Sequence, residues 1–538
     1  MSQKSKINIQ IWLLALASSI LLSIPYIVPH CGLVSLVAFI PLFAAEQIAY
    51  NNGKKHFFHI AYTSFLVWNL IATYWVWFAT PPGAVAAFLL NTLQMAILFT
   101  LFRWMRKFTN GFLPYIFFIV IWLAWEHSYQ TWQVTWPWLV LGNSFATSIK
   151  HIQWYEFTGS LGGTLWILLT NLLLYRIILL KLRHKPIKIS VASLAVIVLF
   201  PTILSHIMYY NYREAENPAQ FAVLQPNIDP YTDKFGGMTQ MQQTSALLEL
   251  AGKASAQNSA GEEQIVVAPE TFIFTETWNT RLREEAPQYN PAYRAISQWV
   301  AGERMAQKQE PFIVGAVSYD GKRYFNTAVF MEPQGDSAVV VSPEYYHKSK
   351  LVILAESNPF KSGPFKFMDK LVRGMAGGIG DFGTQEERTL FETQGGARIG
   401  TAICYESVFG DFYREWANNG ANVMTIITND GWWRDTPGHK QHLNYARLRA
   451  IETRRSIARS ANTGISAFIN QRGDIVQRTA WWEMGYLTGT LNLNEEKTIF
   501  TTHGDIIGRL SRFLAFLFLL MGVARKIAKK HILRCLFV

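Results

Sequence analysis

The sequence predicts a polytopic bundle of about eight apolar membrane helices carrying one large α/β domain. Three observations predict it. Half of the 538 residues are hydrophobic and only 16% are charged, against about 25% in an ordinary soluble protein. The apolar stretches gather before residue 208 and after residue 505, each near the ~20 residues that cross a bilayer. Between them charges and turn residues return, and short β-branched runs alternate with helical patterns. This composition excludes a simple cytosolic enzyme, a disordered chain and a collagen-like one. Cys31, Cys404 and Cys535 are too few for a disulfide framework.

The chain therefore divides into a membrane domain (1–208), a catalytic-type domain (209–505) and a final helix with a basic tail (506–538). Apolar stretches lie at 9–28, 32–50, 58–79, 84–102, 112–129, 160–180 and 189–208. The first, with Lys4 and Lys6 ahead of it, reads as an uncleaved anchor rather than a signal peptide, because six more come after it. The last, Phe513–Ala524, is short and flanked by Arg509, Arg512 and Arg525. It spans only if those arginines snorkel.

Orientation follows from the basic residues. Lys4 and Lys6 precede the first span; Lys54 and Lys55 follow the second; Arg103, Arg106 and Lys107 follow the fourth. Lys181, Arg183, Lys185 and Lys188 separate the sixth and seventh; Arg525, Lys526, Lys529, Lys530 and Arg534 follow the last. These sixteen charges fall on one side, and with a formal net charge of +12 the rest of the chain carries −4. The basic character thus reflects topology, and no nucleic-acid partner is expected. Both termini are expected in the cytoplasm, and 209–505 outside. A second outward loop, 130–159, holds Trp132, Trp136, Trp138 and Trp154. It reads either as an ordinary aromatic belt or as a rim guiding a lipid-borne substrate.

Within the outer segment, strands are expected at Phe221–Gln225, Gln264–Ala268, Pro311–Ser318, Thr327–Phe330, Ala338–Val341, Ala397–Ile403, Asn422–Thr428 and Gly464–Ile469. Helices are expected at Thr239–Ala256, Tyr293–Gln309 and His439–Arg459. His439 and His442 lack a third ligand, so they read as helix-surface or site-lining residues rather than a metal site.

Three residues suit catalysis. Cys404 ends an apolar strand where a helical pattern begins, and a helix N-terminus there is expected to lower its pKa. Glu270 ends Ile265-Val-Val-Ala-Pro-Glu270, well placed to take a proton. Lys348, with Lys350 as its immediate competitor, can favour a thiolate and donate to an oxyanion. Each signal alone also fits a structural residue.

Their order, with Tyr346-x-Lys348-x-x-Leu351 and Cys404-Tyr405-Glu406, resembles the nitrilase (carbon–nitrogen hydrolase) superfamily and its Glu–Lys–Cys triad. Thr428-Asn-Asp-Gly-Trp432-Trp433, Ala446-Arg-Leu-Arg-Ala-Ile-Glu452 and Asn462-Thr-Gly-Ile-Ser466 resemble the same family downstream. The resemblance implies an αββα sandwich for about 220–495. With Trp136-Pro-Trp-Leu-Val-Leu-Gly142, Gln225-Pro-Asn-Ile228 and the helices, nearly the whole chain is similar to the membrane branch, the apolipoprotein N-acyltransferases. Two departures stand out. The family's Leu-Val-Pro-Phe-Gly-Glu reads Leu351-Val-Ile-Leu-Ala-Glu356 here, and Phe235 takes the place of a frequent Trp.

That resemblance implies a multi-pass protein of the bacterial inner membrane, with its catalytic domain periplasmic. It implies a two-step transfer. Cys404 takes an acyl chain from a glycerophospholipid as a thioester, with Glu270 as base and Lys348 and the Tyr405 N–H holding the oxyanion. The N-terminal amine of a diacylglyceryl-modified lipoprotein then receives it. A thioester carries its own activation, so no cofactor or metal is expected, and the protein is expected to be a monomer. Glu356 and Glu406 are candidates to orient Lys348 or the nucleophile loop. Trp432, Trp433, Phe272 and Leu354 either exclude water from the pocket or belong to core or membrane faces. The rival enzyme is a membrane-tethered amidase passing the acyl group to water. A transporter, the rival of another class, would place ionisable residues inside its spans; here Glu46, Glu126 and His127 sit near span ends.

Overall fold

The computed structural model describes residues 2–536 apart from 55, 133, 235, 260–261, 275–280, 333–339, 341, 359, 361–365, 367–368 and 370–381. It divides into two compact units. One holds Met1–Trp77, Pro81–Asn211 and His503–Val538; the other holds Phe78–Thr80 and Tyr212–Thr502. Lys55, Phe235 and the strand expected at 338–341, except Val340, fall outside the described residues.

The first unit is helical: α1 (Gln3–Ile27), α2 (Ile40–Asn51), α3 (Phe58–Thr73), α4 (Pro81–Met105), α5 (Leu113–Tyr129), α6 (Tyr155–Leu182), α7 (Lys188–Asn211) and a C-terminal helix, Ile506–Leu536. Among the described residues, six helices are long and apolar enough to cross a membrane. With 16 and 17 residues, α3 and α5 fall about a turn short. The C-terminal helix is far longer than the apolar run at its centre, because good helix formers continue the pattern on both sides.

The tryptophan-rich loop is largely packed within the helical unit. It folds into three short 3-10 turns. Trp138 is buried edge-on against Trp75, at 4.8 Å, and Trp154 is buried against Trp166; Trp132 stays exposed. Glu126, fully buried, anchors the loop: its carboxylate accepts from Trp122 Nε1 (2.9 Å), the Leu141 N–H (3.0 Å) and Thr164 Oγ1 (2.6 Å). Glu46 is likewise buried and pairs with Arg103 and Arg106. Two of the arginines that signal orientation therefore also brace the bundle.

The second unit contains two mixed sheets. The first has the order β13-β1-β2-β4-β5-β6 with β3 beside β4. Its strands are β1 (Pro218–Gln225), β2 (Gln264–Val267), β3 (Leu282–Arg283), β4 (Phe312–Tyr319), β5 (Tyr324–Met331), β6 (Glu344–His347) and β13 (Gly485–Asn492). The second has the order β12-β11-β10-β9-β8-β7. It contains β7 (Leu390–Glu392), β8 (Arg398–Ile403), β9 (Val423–Thr428), β10 (Ile457–Ala461), β11 (Ala467–Ile469) and β12 (Ile475–Arg478). Parallel pairs β1–β2, β2–β4, β3–β4, β8–β9 and β9–β10 are those that need crossover connections. Helices α8 (Gln240–Ser255) and α9 (Pro291–Met305) supply them for the first sheet, α10 (Gly410–Asn418) and α11 (Pro437–Thr453) for the second. The sheets meet through β1 and β10 and through β5 and β8. Leu247 and Leu250 of α8, with Tyr293 and Ile296 of α9, pack on the first sheet.

Three expectations need correction. The strand expected to run to Glu270 stops at Val267, and Glu270 and Thr271 form a turn. The helix expected at His439–Arg459 ends at Thr453 because Arg454 adopts left-handed backbone (φ 49°). Residues from Ile457 then form β10, so Arg459 sits in a strand.

Candidate active site

Cys404 stands at the end of β8, level with the end of β9 in the parallel register Ile403↔Ile427. Its backbone is left-handed, φ 51°, a conformation that costs a side-chain-bearing residue about 1–2 kcal/mol. The chain then turns into a 3-10 segment, Cys404–Val408.

Glu270 sits on a turn after β2, with Thr271 also left-handed (φ 47°). Gly315 of β4 permits the approach: a Cβ there would fall 2.5 Å from the Glu270 Cα. The Gly315 N–H donates to the Pro269 carbonyl and the Ile273 N–H to the Gly315 carbonyl, locking the turn onto the strand. Lys348 comes directly after β6, its own N–H donating to the Asn326 carbonyl at 2.8 Å.

The structure brings the charged groups together. The buried Lys348 Nζ lies 2.9 Å from Glu270 Oε1 and 2.9 Å from Glu356 Oε1. Asn326 Nδ2 donates to the same two oxygens, at 2.8 and 2.7 Å. Glu356 Oε2 accepts from the Val352 N–H at 2.8 Å. The altered arm around Glu356 still turns tightly: Leu354 is left-handed (φ 64°) and its N–H donates to the Ser357 carbonyl. The competitor Lys350 instead lies over the Phe409 and Phe412 rings, at 5.2 and 5.5 Å.

Burial opposes the Lys348 charge, but Glu270, Glu356 and Cys404 outweigh it and hold the ammonium well above its ordinary pKa. For Cys404 the balance runs the other way. Burial, then Glu270, push the thiol well above its ordinary value, against Lys348. The expected lowering at a helix N-terminus does not occur, because Cys404 opens only a five-residue 3-10 turn and burial dominates. Burial thus favours the thiol over the thiolate at Cys404.

Glu406 is fully buried and ties the nucleophile turn to the lysine segment. Oε1 accepts from Tyr346 OH (2.7 Å) and the Ser349 N–H (2.6 Å), Oε2 from the Ile403 N–H (2.8 Å). Tyr405 is buried edge-on to Phe409. Trp432 and Trp433 are half-buried in a 3-10 turn after β9. Tyr231 OH donates to the Trp432 carbonyl at 2.8 Å, and the Trp433 ring lies 5.5 Å from His442. Phe272 belongs to the hydrophobic core.

Sequence reasoning missed three residues. Asn326 left one signal, a lone amide within the apolar strand Tyr324-Phe-Asn-Thr-Ala-Val-Phe-Met331. Lys234 is buried with Nζ 3.0 Å from Thr271 Oγ1; burial lowers its pKa to about 8, with Glu270 opposing. Asp430 forms a buried cluster with His442, one of the two histidines read as helix-surface or site-lining: His442 Nδ1 lies 2.9 Å from Asp430 Oδ1, and Arg459 pairs with Asp430 Oδ2 at 2.6 Å. His439 is also buried, stacked on Trp481 at 3.7 Å.

Comparison with known proteins gives this site a family. The carbon-nitrogen hydrolase family profile matches residues 221–499, just over half of the chain, a range that contains Glu270, Lys348 and Cys404. The chain belongs to the carbon–nitrogen hydrolase family. Residues 18–173, ahead of the carbon–nitrogen hydrolase domain, match the profile of the apolipoprotein N-acyltransferase N-terminal domain. The chain is 27% identical over 525 residues to an apolipoprotein N-acyltransferase of Chlorobaculum tepidum, covering 92% of this chain and 93% of that one. It is 27% identical over 519 residues to one of Geobacter metallireducens, covering 92% of each. Among solved structures, an amidase from Nesterenkonia sp. is 18% identical, covers 53% of this chain and 93% of its own, and superposes with a TM-score of 0.36.

Proposed function

We propose that this carbon–nitrogen hydrolase is an acyltransferase that N-acylates the N-terminal diacylglyceryl-cysteine of lipoproteins, drawing the chain from a glycerophospholipid. One observation carries the reading. An apolar helical unit matching the N-acyltransferase N-terminal domain is joined to a carbon–nitrogen hydrolase domain in which Glu270 and Lys348 are in contact. The relatives spanning nearly the whole chain bear the same activity in their names. Eight helices would cross the bacterial inner membrane, α3 and α5 meeting a locally thinned bilayer. The basic connections would lie in the cytoplasm and the catalytic domain in the periplasm.

The geometry suits each chemical step. The Cys404 sulfur attacks the ester carbonyl as its proton passes to Glu270. Lys348 and the Tyr405 N–H stabilise the oxyanion, and a lysophospholipid leaves with the proton. Asn326 and Lys348 hold Glu270 and Glu356 in place meanwhile. In the second step the lipoprotein α-amine attacks the thioester. At a pKa of about 7.7–8.0, such amines are roughly 10–20% unprotonated at neutral pH, far more than lysines. Glu270 accepts the amine proton, and the thiol is restored. An amidase would hand the same acyl group to water. The half-buried Trp432 and Trp433 are suited to limiting that access.

Incubating the purified protein with labelled phospholipid tests the reading. The expected result is lysophospholipid release and an intact mass increased by one acyl chain, with the adduct on Cys404 and discharged by a diacylglyceryl-cysteine peptide. Hydrolysis to free fatty acid with no peptide acylation would overturn it in favour of the hydrolase.

A further inference from the structure

The nucleophile rests on a polar cluster that the two-step chemistry leaves without a task. Thr428, Asp430, His442 and Arg459 are all fully buried. The β8–β9 register ends on the pair Ile403↔Ile427, so Thr428 and Cys404 are the next residues of two adjacent strands, and the Thr428 side chain acts as a hydrogen-bond partner that favours the Cys404 thiolate against burial. The same hydroxyl, Oγ1, donates to Asp430 Oδ1 at 2.8 Å. That oxygen also faces His442 Nδ1 at 2.9 Å, while Oδ2 accepts from Arg459 at 2.6 Å. On its other edge His442 Nε2 lies 3.1 Å from the Cys404 carbonyl oxygen, which also accepts from Ser407 Oγ at 2.8 Å. Asp430 is therefore joined to the nucleophile twice, to its sulfur through Thr428 and to its carbonyl through His442.

A hydroxyl has one proton to donate and two lone pairs to accept with. While Cys404 is a thiol, Thr428 can accept from S–H and spend its own proton on Asp430. Once the sulfur loses its proton, it can only accept. Asp430 does not need the threonine proton at that moment, because His442 and Arg459 remain against its two oxygens.

We propose that Thr428 is a further catalytic residue, whose hydroxyl turns from Asp430 to the Cys404 sulfur as the thiolate develops. Asp430 and His442 are positioning residues: they orient the hydroxyl and fix the carbonyl of the left-handed cysteine. No atom is transferred beyond the thiol proton that Glu270 takes; the threonine proton changes its acceptor and stays on oxygen. The same donor meets the sulfur again when the tetrahedral adduct of the amine collapses and expels it. This inference rests on the reading of Cys404 as nucleophile.

The test uses Thr428→Val, which keeps the shape and loses the hydroxyl, and Thr428→Ser, which restores the donor. Iodoacetamide alkylation of Cys404 in the full-length protein, followed by intact mass across pH, reports thiolate formation whether or not an acyl chain is ever carried. A hydrogen bond to an ionised group is worth about tenfold to a hundredfold in equilibrium. The alkylation midpoint in Thr428→Val should therefore rise by about one to two pH units. Acyl-enzyme formation from phospholipid should slow about tenfold or more, with both properties recovered in Thr428→Ser. A wild-type alkylation profile in Thr428→Val overturns the proposal. Thr428→Ala gives the same reading if the valine variant does not fold. Failure of wild-type protein to form any Cys404 thioester would overturn the acyltransferase reading instead, and leaves the alkylation result to decide the role of Thr428 at the sulfur.

Discussion

Asn326 shows how much of this site depends on a group that does no chemistry. Its one amide nitrogen meets both carboxylates, and its backbone oxygen holds the lysine's strand end. Two carboxylates facing one ammonium repel each other, and a neutral donor between them relieves that strain without adding charge. Asn326→Ala should slow lysophospholipid release about 10- to 100-fold, the worth of a charge-assisted hydrogen bond, with little change in phospholipid KM. Asn326→Asp, which adds a third carboxylate, should be slower still. Single-turnover kinetics on both variants checks this, and an unchanged rate in Asn326→Ala would remove its positioning role. His347 makes a different prediction. Burial pushes its imidazole down from 6.5 to about 4. The ring is stacked on Phe325 at 4.1 Å, with Nδ1 3.0 Å from Thr327 Oγ1. The folded value lies below the unfolded one, so this contribution is intact above pH 6.5. It is lost as pH falls from 6.5 toward 4, by up to about 3 kcal/mol. Thermal unfolding at pH 7.5 and 4.5 should show His347→Gln less acid-sensitive than wild type; equal losses would refute the assignment.

Turns, rather than whole strands, decide the placement of Glu270, Glu356 and Cys404. Cys404, Thr271 and Leu354 all take left-handed backbone without being glycine, and each belongs to one wall of the site. Such strain persists only where its surroundings impose it. Around Glu270 the imposing element is β4 at Gly315, where a methyl group would meet main chain at 2.5 Å. Gly315→Ala should therefore displace Glu270 and suppress acyl-enzyme formation, while leaving alkylation of Cys404 measurable; normal acylation would show that the turn can yield. Glu406 plays the equivalent part for the nucleophile, and Glu406→Ala would strand the buried donors of Tyr346, Ser349 and Ile403. Seven of the eight strands expected from sequence coincide with observed ones, because β-branched runs bounded by turns report burial directly. The features that stayed hidden did so for physical reasons. In Arg449-Ala-Ile-Glu-Thr-Arg-Arg-Ser-Ile-Ala-Arg459 the strong helix formers run on without a breaker, so β10 looked like more helix. Arg449, Arg455 and Arg459, which resemble a solvated face, are buried. Glu270 and Cys404 stood out because each comes after an apolar β-branched run, whereas Lys348 was singled out only by the motif Tyr346-x-Lys348-x-x-Leu351, since the short strand before it was not expected. The raised Cys404 pKa was not, because burial leaves no mark on the residues beside it.

For the whole molecule, the basic connections make orientation a measurable property. Tyr289 is 74% exposed on the catalytic unit, and Leu182 is 72% exposed beside the Lys181–Lys188 connection. In spheroplasts, a membrane-impermeant maleimide should label Tyr289→Cys directly and Leu182→Cys only after permeabilisation. The opposite pattern would reverse the assigned topology. The buried thiol also bears on survival in such a compartment. Peroxide attacks sulfur as the anion, and the first product is open to irreversible overoxidation. A sulfur that burial favours in the protonated form offers oxidants little of the form they need. Idle enzyme should accordingly outlast free cysteine in dilute hydrogen peroxide at the same pH, so that the burial which slows the nucleophile's ionisation also preserves it between turnovers.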